Sequence, residues 1–237
     1  MGLFSSVLHL RDIERNPLIP AVDAALQDAG FMPEHLGAVP AGGPHMLPKH
    51  DTGPCYVTSP LSGRWVTLIE TTFAVPNAPH LADLGRRLSS ALSCYALALI
   101  VHDDDLFLYN LDYKGNALDG YNSFPPYFED HMAEADIEGQ RHSPEPFAPL
   151  LPPGRTLDEL RSLLNRGWWH AHDTGRLDQD GMPPDDDDEF PFEGERMTAF
   201  GTLLQLHGDA GPYPYAAWAV ADGIHWSSFL AVCYRPA

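Results

Sequence analysis

The chain has 237 residues, 44% of them hydrophobic, which is enough for a sizeable folded core and excludes wholesale disorder. Its 33 acidic and 14 basic side chains leave a formal net charge of −19 at pH 7. Nucleic acids and anionic membrane surfaces are bound through clustered Lys and Arg, so this balance excludes both as expected partners. It favours basic proteins and cations, although an acidic surface also serves solubility alone.

The N-terminal part of the chain predicts a strand, a helix and a hairpin. Residues 3–10 are rich in β-forming side chains, and residues 16–29 have the apolar spacing of a helix. Residues 32–54 show no periodicity and predict a loop. Two β-prone runs follow, residues 55–58 and 64–71, and the Pro and Gly between them indicate a hairpin.

A helix and a three-stranded meander form the clearest predicted organisation. Residues 80–92 carry leucines at helical spacing, and the almost wholly apolar run at 94–101 is typical of a central strand covered on both faces. Turns built from Asp, Asn and Gly then lead into two further strands, residues 106–113 and 117–121. The sequence therefore predicts an α+β fold with a mainly antiparallel sheet, its meander around residues 94–121, packed by several amphipathic helices.

A stretch rich in proline and charge follows the meander. Residues 124–154 predict irregular structure, which is either a surface excursion or a subdomain boundary. Apart from that boundary, we expect residues 1–237 to form a single domain. Thr156 and Glu159 then have the spacing of a capping box, which predicts a helix to about residue 166.

The C-terminal part predicts a loop, a helix and a strand pair. Residues 168–189 are polar and predict a loop, and residues 195–206 have helical spacing. Residues 215–220 and 227–234 are β-prone and predict two strands.

Cysteine usage favours a reducing compartment. Cys55, Cys94 and Cys233 are too few and too scattered to indicate a disulfide framework or a thiolate metal site, and two of them, Cys94 and Cys233, lie in apolar runs that predict small buried side chains. No apolar run approaches the roughly 20 residues that span a bilayer, and no export signal is visible, so we expect a cytoplasmic protein. Nearly exclusive use of Arg as the basic residue, with abundant Pro, Gly and Ala, favours a GC-rich bacterial source.

The end of the most apolar strand is a candidate metal site. His102 is followed there by three aspartates, and carboxylates beside a histidine suit a divalent cation. We predict His102 and Asp105 as candidate ligands. The alternative is a plain turn, in which Asp side chains hydrogen-bond to their own backbone.

A second candidate metal site lies at His170, His172 and Asp173, directly after two tryptophans. Two imidazoles and a carboxylate can hold zinc or iron in an open site. In a strand both histidines would point to the same face, whereas in a helix they would diverge by about 200°. The alternative is a loop whose tryptophans cover the core and whose histidines stay hydrated.

Aromatic side chains form a candidate binding surface. Amphipathic rings on a proline-stiffened loop provide contact area at a low entropic cost, which is typical of recognition surfaces. The alternative is a loop folded back over the core. The candidate binding residues are Tyr121, Phe124, Tyr127, Phe128, Trp168 and Trp169.

The acidic stretch at residues 176–189 contains aspartates and a glycine in a pattern close to a calcium loop. Aligning Gly181 with the glycine of an EF-hand places Arg176 at the first ligand position and Asp187 at the last, where a glutamate is usual, and Pro183 and Pro184 interrupt the loop, so the pattern disfavours that motif. The run at 185–189 must stay solvated because adjacent carboxylates repel one another. It predicts a flexible acidic loop, with weak calcium binding or docking of a basic partner as alternatives.

These patterns favour a binding function over catalysis. The sequence has no phosphate-binding glycine loop, nucleophile elbow or thiolate–histidine pair. We therefore predict a non-enzymatic cytoplasmic binding or accessory protein, of immunity type, that offers an acidic surface to a basic partner and needs no cofactor. The alternative is a metal-dependent hydrolase in which His170, His172 and Asp173, completed by His102 and Asp105, hold a divalent ion that activates water.

Overall fold

A computed structural model describes residues 5–40, 53–59, 64–71, 80–128, 132–184, 193–206 and 228–237. Eight strands lie in these ranges: β1 (Ser5–Arg11), β2 (Phe31–Ala38), β3 (Cys55–Thr58), β4 (Trp65–Glu70), β5 (Tyr95–His102), β6 (Leu106–Tyr113), β7 (Asn116–Asn122) and β8 (Leu230–Pro236). The same ranges contain the helices α1 (Arg15–Gln27), α2 (Leu81–Leu92), α3 (Glu134–Glu138), α4 (Leu157–Leu164), α5 (Trp168–Thr174) and α6 (Glu193–Leu203). Two 3₁₀ helices cover Pro125–Phe128 and Glu145–Phe147. None of the described helices is long and apolar enough to cross a membrane.

The strands form one sheet in the order β2-β8-β3-β4-β1-β5-β6-β7. Strand β3 pairs antiparallel with β4 and β8, β1 pairs antiparallel with β4, and β2 pairs antiparallel with β8. The predicted α+β fold with a mainly antiparallel sheet is confirmed, as are the hairpin of β3 and β4 and the meander of β5, β6 and β7.

Short turns explain the meander. Asp103 and Asp104 between β5 and β6 have φ angles of 55° and 64°, and Lys114 and Gly115 between β6 and β7 have φ angles of 51° and 82°. Tight hairpins need this left-handed backbone, which Asp and Gly adopt at lower cost than most residues. The sequence of the turns thus sets the lengths of the three strands.

The chain divides into two compact units. One unit, called the acidic unit below, is built from Ile100–Tyr109 and Asp119–Gln205, and the second unit from Ser5–Leu99, Asn110–Leu118 and Leu206–Ala237. Strands β5, β6 and β7 contribute residues to both units. Whether the chain behaves as one domain with a boundary at residues 124–154 stays a prediction.

An aliphatic core holds the second unit together. Strand β5 is buried along most of its length, as its apolar run predicts. Helix α2 packs on this core through the predicted leucine stripe, of which Leu81, Leu84 and Leu88 are buried. Gly85 permits the close approach, because a Cβ atom there would lie 2.9 Å from the Leu8 side chain.

An aromatic core holds the acidic unit together. Tyr109 stacks on Phe200 with ring centroids 5.2 Å apart and meets Phe147 edge to face at 5.4 Å. Its hydroxyl donates a hydrogen bond of 2.7 Å to Asp119. Such ring pairs add to the stability that burial alone supplies.

Three stretches predicted to be irregular contain regular structure instead. Strand β2 covers the first residues of the loop predicted at 32–54, and helix α5 lies within the loop predicted at 168–189. Helix α3 lies within the stretch predicted to be irregular at 124–154, so all three predictions are wrong there. The first strand ends at Arg11 rather than residue 10, and residues 1–4 lie outside the described part. The predicted strand at 215–220 also lies outside the described residues, whereas the strand predicted at 227–234 is observed as β8.

The cysteine prediction is only half right. Cys94 is a buried free thiol, as expected. Cys55 and Cys233 are joined by a disulfide, so the expectation that Cys233 is merely a small apolar side chain is wrong. Their separation of 178 residues hid this pairing, because only the folded sheet brings β3 next to β8.

Candidate functional site

Negative charge is distributed unevenly between the two units. By sequence, the acidic unit holds 22 of the 33 acidic and 6 of the 14 basic side chains, a net charge of −16. The second unit accounts for the remaining −3. Long-range attraction of a cation is therefore a property of the acidic unit.

Within the acidic unit, aromatic and acidic side chains meet at the turn after β5. The 3₁₀ helix Pro125–Phe128 places Tyr127 and Phe128 edge to face against His102, with ring centroids 5.8 and 5.2 Å away. The two aromatic rings also contact each other, at 4.8 Å. We call this group the turn surface; its members are His102, Asp103, Asp104, Asp105, Tyr127 and Phe128.

The turn surface is accessible and negatively charged. Phe128 is 65% exposed, the largest exposed fraction among the large hydrophobic side chains that the structure describes. The Tyr127 hydroxyl donates a hydrogen bond of 3.4 Å to Asp105. Partial burial, together with the charges of Asp105 and Asp103, raises the pKa of Tyr127. An exposed ring beside carboxylates suits a cationic side chain, which gains both ion pairing and a cation–π contact.

The other predicted binding residues belong to the interior. Trp168 and Trp169 are buried, and their indole N–H groups donate to the carbonyl oxygens of Gly181 and Asn122 at 3.0 and 2.7 Å. Tyr121 is also buried and donates to the Leu164 carbonyl oxygen at 2.8 Å.

Phe124 lies between these two groups. It is half-buried, stacks on Trp168 at 6.1 Å and meets Tyr127 edge to face at 6.0 Å. Of the six predicted aromatic residues, Tyr127 and Phe128 thus reach the turn surface.

The predicted histidine site is divided by its helix. Helix α5 directs His170 and His172 about 200° apart around its axis, so that His170 is exposed and His172 half-buried. Asp173 binds Arg141 through contacts of 2.6 and 3.0 Å that lower the pKa of Asp173. It also lies 3.7 Å from the Nδ1 atom of His172, so His170 alone is separated from the other two predicted ligands. His102 and Asp105 belong to the turn surface and are not grouped with these residues within ligand distance, among the residues described.

A different group of potential ligands surrounds His172. Its Nε2 atom lies 3.3 Å from Glu134, and Glu138 follows one turn later on α3. One donor atom from each of these three side chains lies within 4.8 Å of the others. We call Glu134, Glu138 and His172 the ion cluster.

Neighbouring side chains hold the ion cluster in place. Trp168 stacks on the His172 ring at 4.7 Å. Arg141 lies over Trp169 at 4.2 Å and binds both oxygens of Glu138, at 2.9 and 3.0 Å. Glu138 is therefore already neutralised by a guanidinium, and a metal ion would have to compete with it.

The sequence did not indicate Glu134, Glu138 or Arg141. The two glutamates have helical i, i+4 spacing, but the surrounding proline-rich stretch was predicted to be irregular. Recognising α3 would have shown that two carboxylates share one face.

Comparison with known proteins finds no matching family model, no matching curated protein and no matching solved structure.

Proposed function

We propose that this protein is a non-enzymatic cytoplasmic binding protein, of accessory or immunity type, that covers a basic partner with its acidic unit. The observation that carries the proposal is the turn surface, where the exposed Phe128 ring contacts His102, the residue directly before three aspartates, in a unit of net charge −16. Charge draws the partner in, and the aromatic rings provide the contact that excludes water.

The surface favours arginine as the contacting side chain. A guanidinium stacks on an aromatic face and pairs with a carboxylate at the same time. Tyr127 offers such a face next to Asp105, and the exposed Phe128 ring lies 4.8 Å from the Tyr127 ring. Interface hot spots commonly combine aromatic and arginine side chains in this way.

The proposal predicts that Phe128→Ala weakens binding of a short arginine-rich peptide about tenfold, because the mutation removes a central contact but no charge. Fluorescence anisotropy of the labelled peptide at low salt measures the affinity. Met182→Ala is the matched control, since Met182 is also exposed, at 45%, and also lies in the acidic unit. Equal affinity of the Phe128→Ala variant and the wild type would rule out the turn surface as the contact.

A second candidate function is metal-dependent hydrolysis, and the ion cluster is the observation that favours it. Two carboxylates and an imidazole would hold a divalent cation, which lowers the pKa of a bound water. In this second candidate function the ligands are Glu134, Glu138 and His172, rather than His170 and Asp173.

This second function predicts that zinc or manganese raises the melting temperature of the wild type and of His170→Ala, but not of His172→Ala. His170 is the control because it lies on the same helix outside the cluster. Differential scanning fluorimetry with and without each ion measures the shift. An unchanged wild-type melting temperature would dismiss the hydrolase.

A further inference from the structure

We propose that Cys55 and Cys233 form a redox-sensitive lock between β3 and β8. The two residues are direct partners in the antiparallel register of these strands, with Cα atoms 4.0 Å apart, and a disulfide joins them. Nothing in the binding function requires this bond, and it lies in the second unit.

The position of Cys55 and Cys233 in the sheet indicates which strands their disulfide stabilises. Strand β8 lies between β2 and β3 in the sheet, so the edge strand β2 joins the other described strands only through β8. The β3–β8 contact is short, because β3 covers only Cys55–Thr58. A disulfide across this short contact therefore holds β8 to β3, and with β8 also the edge strand β2.

The strands remain paired without the bond. Next to the cysteines, the Tyr234 backbone N–H donates to the Pro54 carbonyl oxygen at 3.0 Å. Gly53 permits this approach, since a Cβ atom there would overlap the Tyr234 carbonyl oxygen. Reduction therefore leaves two thiols facing each other across an intact strand pair, from which the disulfide can form again.

Burial makes the exchange slow but selective. Cys55 and Cys233 are 2% and 0% exposed, so a reductant reaches the sulfur atoms only after local opening of the strands. Cys94 is buried elsewhere, and burial raises its pKa to about 11, which leaves little of the reactive thiolate. It is not expected to exchange with the pair.

The chemistry is thiol–disulfide exchange with a small disulfide such as oxidised glutathione. One cysteine thiolate attacks this oxidant, forms a mixed disulfide and expels the first glutathione thiolate. The second cysteine thiolate attacks the protein sulfur of the mixed disulfide and expels the second. Two electrons pass to the oxidant, and the two protons of the protein thiols end on two molecules of glutathione.

The redox state of the compartment determines whether the disulfide or the dithiol form of Cys55 and Cys233 predominates. Disulfides in the cytosol are rare and mostly transient or redox-sensing. If the protein is cytoplasmic, as the proposed function holds, the pair is a dithiol at rest and locks on oxidation; this part alone rests on that function.

The test compares protein incubated with reduced and with oxidised glutathione. Alkylation of the unfolded protein and mass spectrometry should find three reactive thiols in the reduced form and only Cys94 in the oxidised form. We expect the oxidised form to melt about 5–10 °C higher, because the link closes a long loop. Hydrogen exchange should slow mainly in β2 and β8, and less in β6 and β7.

The matched variants are Cys55→Ser/Cys233→Ser, which should melt like the reduced wild type in both buffers, and Cys94→Ser, which should keep the redox-dependent shift. If the double variant fails to fold, the two wild-type forms still make the comparison. Equal melting temperatures and equal exchange in β8, or a disulfide that includes Cys94, would overturn the lock. Peptide binding is measured separately on the reduced protein, so a failure of the binding proposal is distinguishable.

Discussion

At the scale of single residues, the acidic unit contains a histidine that is kept neutral. His142 is buried and stacks on Tyr121 with ring centroids 5.8 Å apart. Burial, with smaller contributions from the charges of Arg141 and Arg161, lowers the pKa of His142 from 6.5 to about 4. Protonation of this ring is therefore less favourable in the folded state than in the unfolded chain.

This difference predicts a specific loss of stability in acid. Because the unfolded state binds the proton first, the contribution of His142 is fully present above pH 6.5 and is lost as the pH falls from there towards 4. The loss amounts to about 3 kcal/mol. Urea unfolding at several pH values should show a shallower pH dependence for His142→Gln than for the wild type. The exposed His170→Gln should behave like the wild type, and an identical pH dependence of all three proteins would contradict this account.

Single residues also show which features of the site a sequence can indicate and which it cannot. The three aspartates after His102 were expected either to bind a metal or to form a turn, and Asp103 and Asp104 do adopt the left-handed backbone of a turn. The contact of Phe128 with His102 could not be foreseen, because it depends on how the chain returns from β7. The link from Arg141 to Asp173 spans 32 residues and leaves no local pattern.

At the scale of elements, short sequence patterns correctly predicted the helices and strands whose formation depends on neighbouring residues. The capping box is present, with Thr156 accepting from the Glu159 N–H and Glu159 accepting from the Thr156 N–H, and α4 begins at Leu157 as expected. Strand β5 follows directly from its apolar run, because only an interior strand can bury both faces.

The missed elements depend on distant partners or unusual backbone. Strand β2 contains Pro33 and Gly37, which disfavour a strand locally, but it lies at an edge of the sheet, where pairing with β8 alone is required. Helix α5 begins after Gly167, whose φ is 64°, and has no side-chain cap. Its stability comes from the burial of Trp168 and Trp169, which a polar sequence window does not reveal.

At the scale of the whole molecule, the uneven distribution of charge between the two units bears more directly on the proposed binding of a basic partner than the total charge does. The acidic unit has a net charge of −16, out of −19 for the whole chain. Charge concentrated in one unit produces a stronger local electrostatic field than the same charge spread evenly over the chain. The simplest alternative remains solubility, which needs no particular surface. A binding function is distinguishable from a role in solubility alone, because it requires the affinity for a basic partner to depend on both the salt concentration and Phe128.

The salt dependence of peptide binding is the most direct test of the central claim. Anisotropy titrations of the wild type with an arginine-rich peptide, at rising sodium chloride concentrations, should show steadily weaker binding, because salt screens the attraction of exposed charges over distances of about 10 Å at 0.1 M. The Phe128→Ala variant should show the same slope, displaced to weaker affinity. An affinity that does not change with salt would contradict an acidic surface as the binding device.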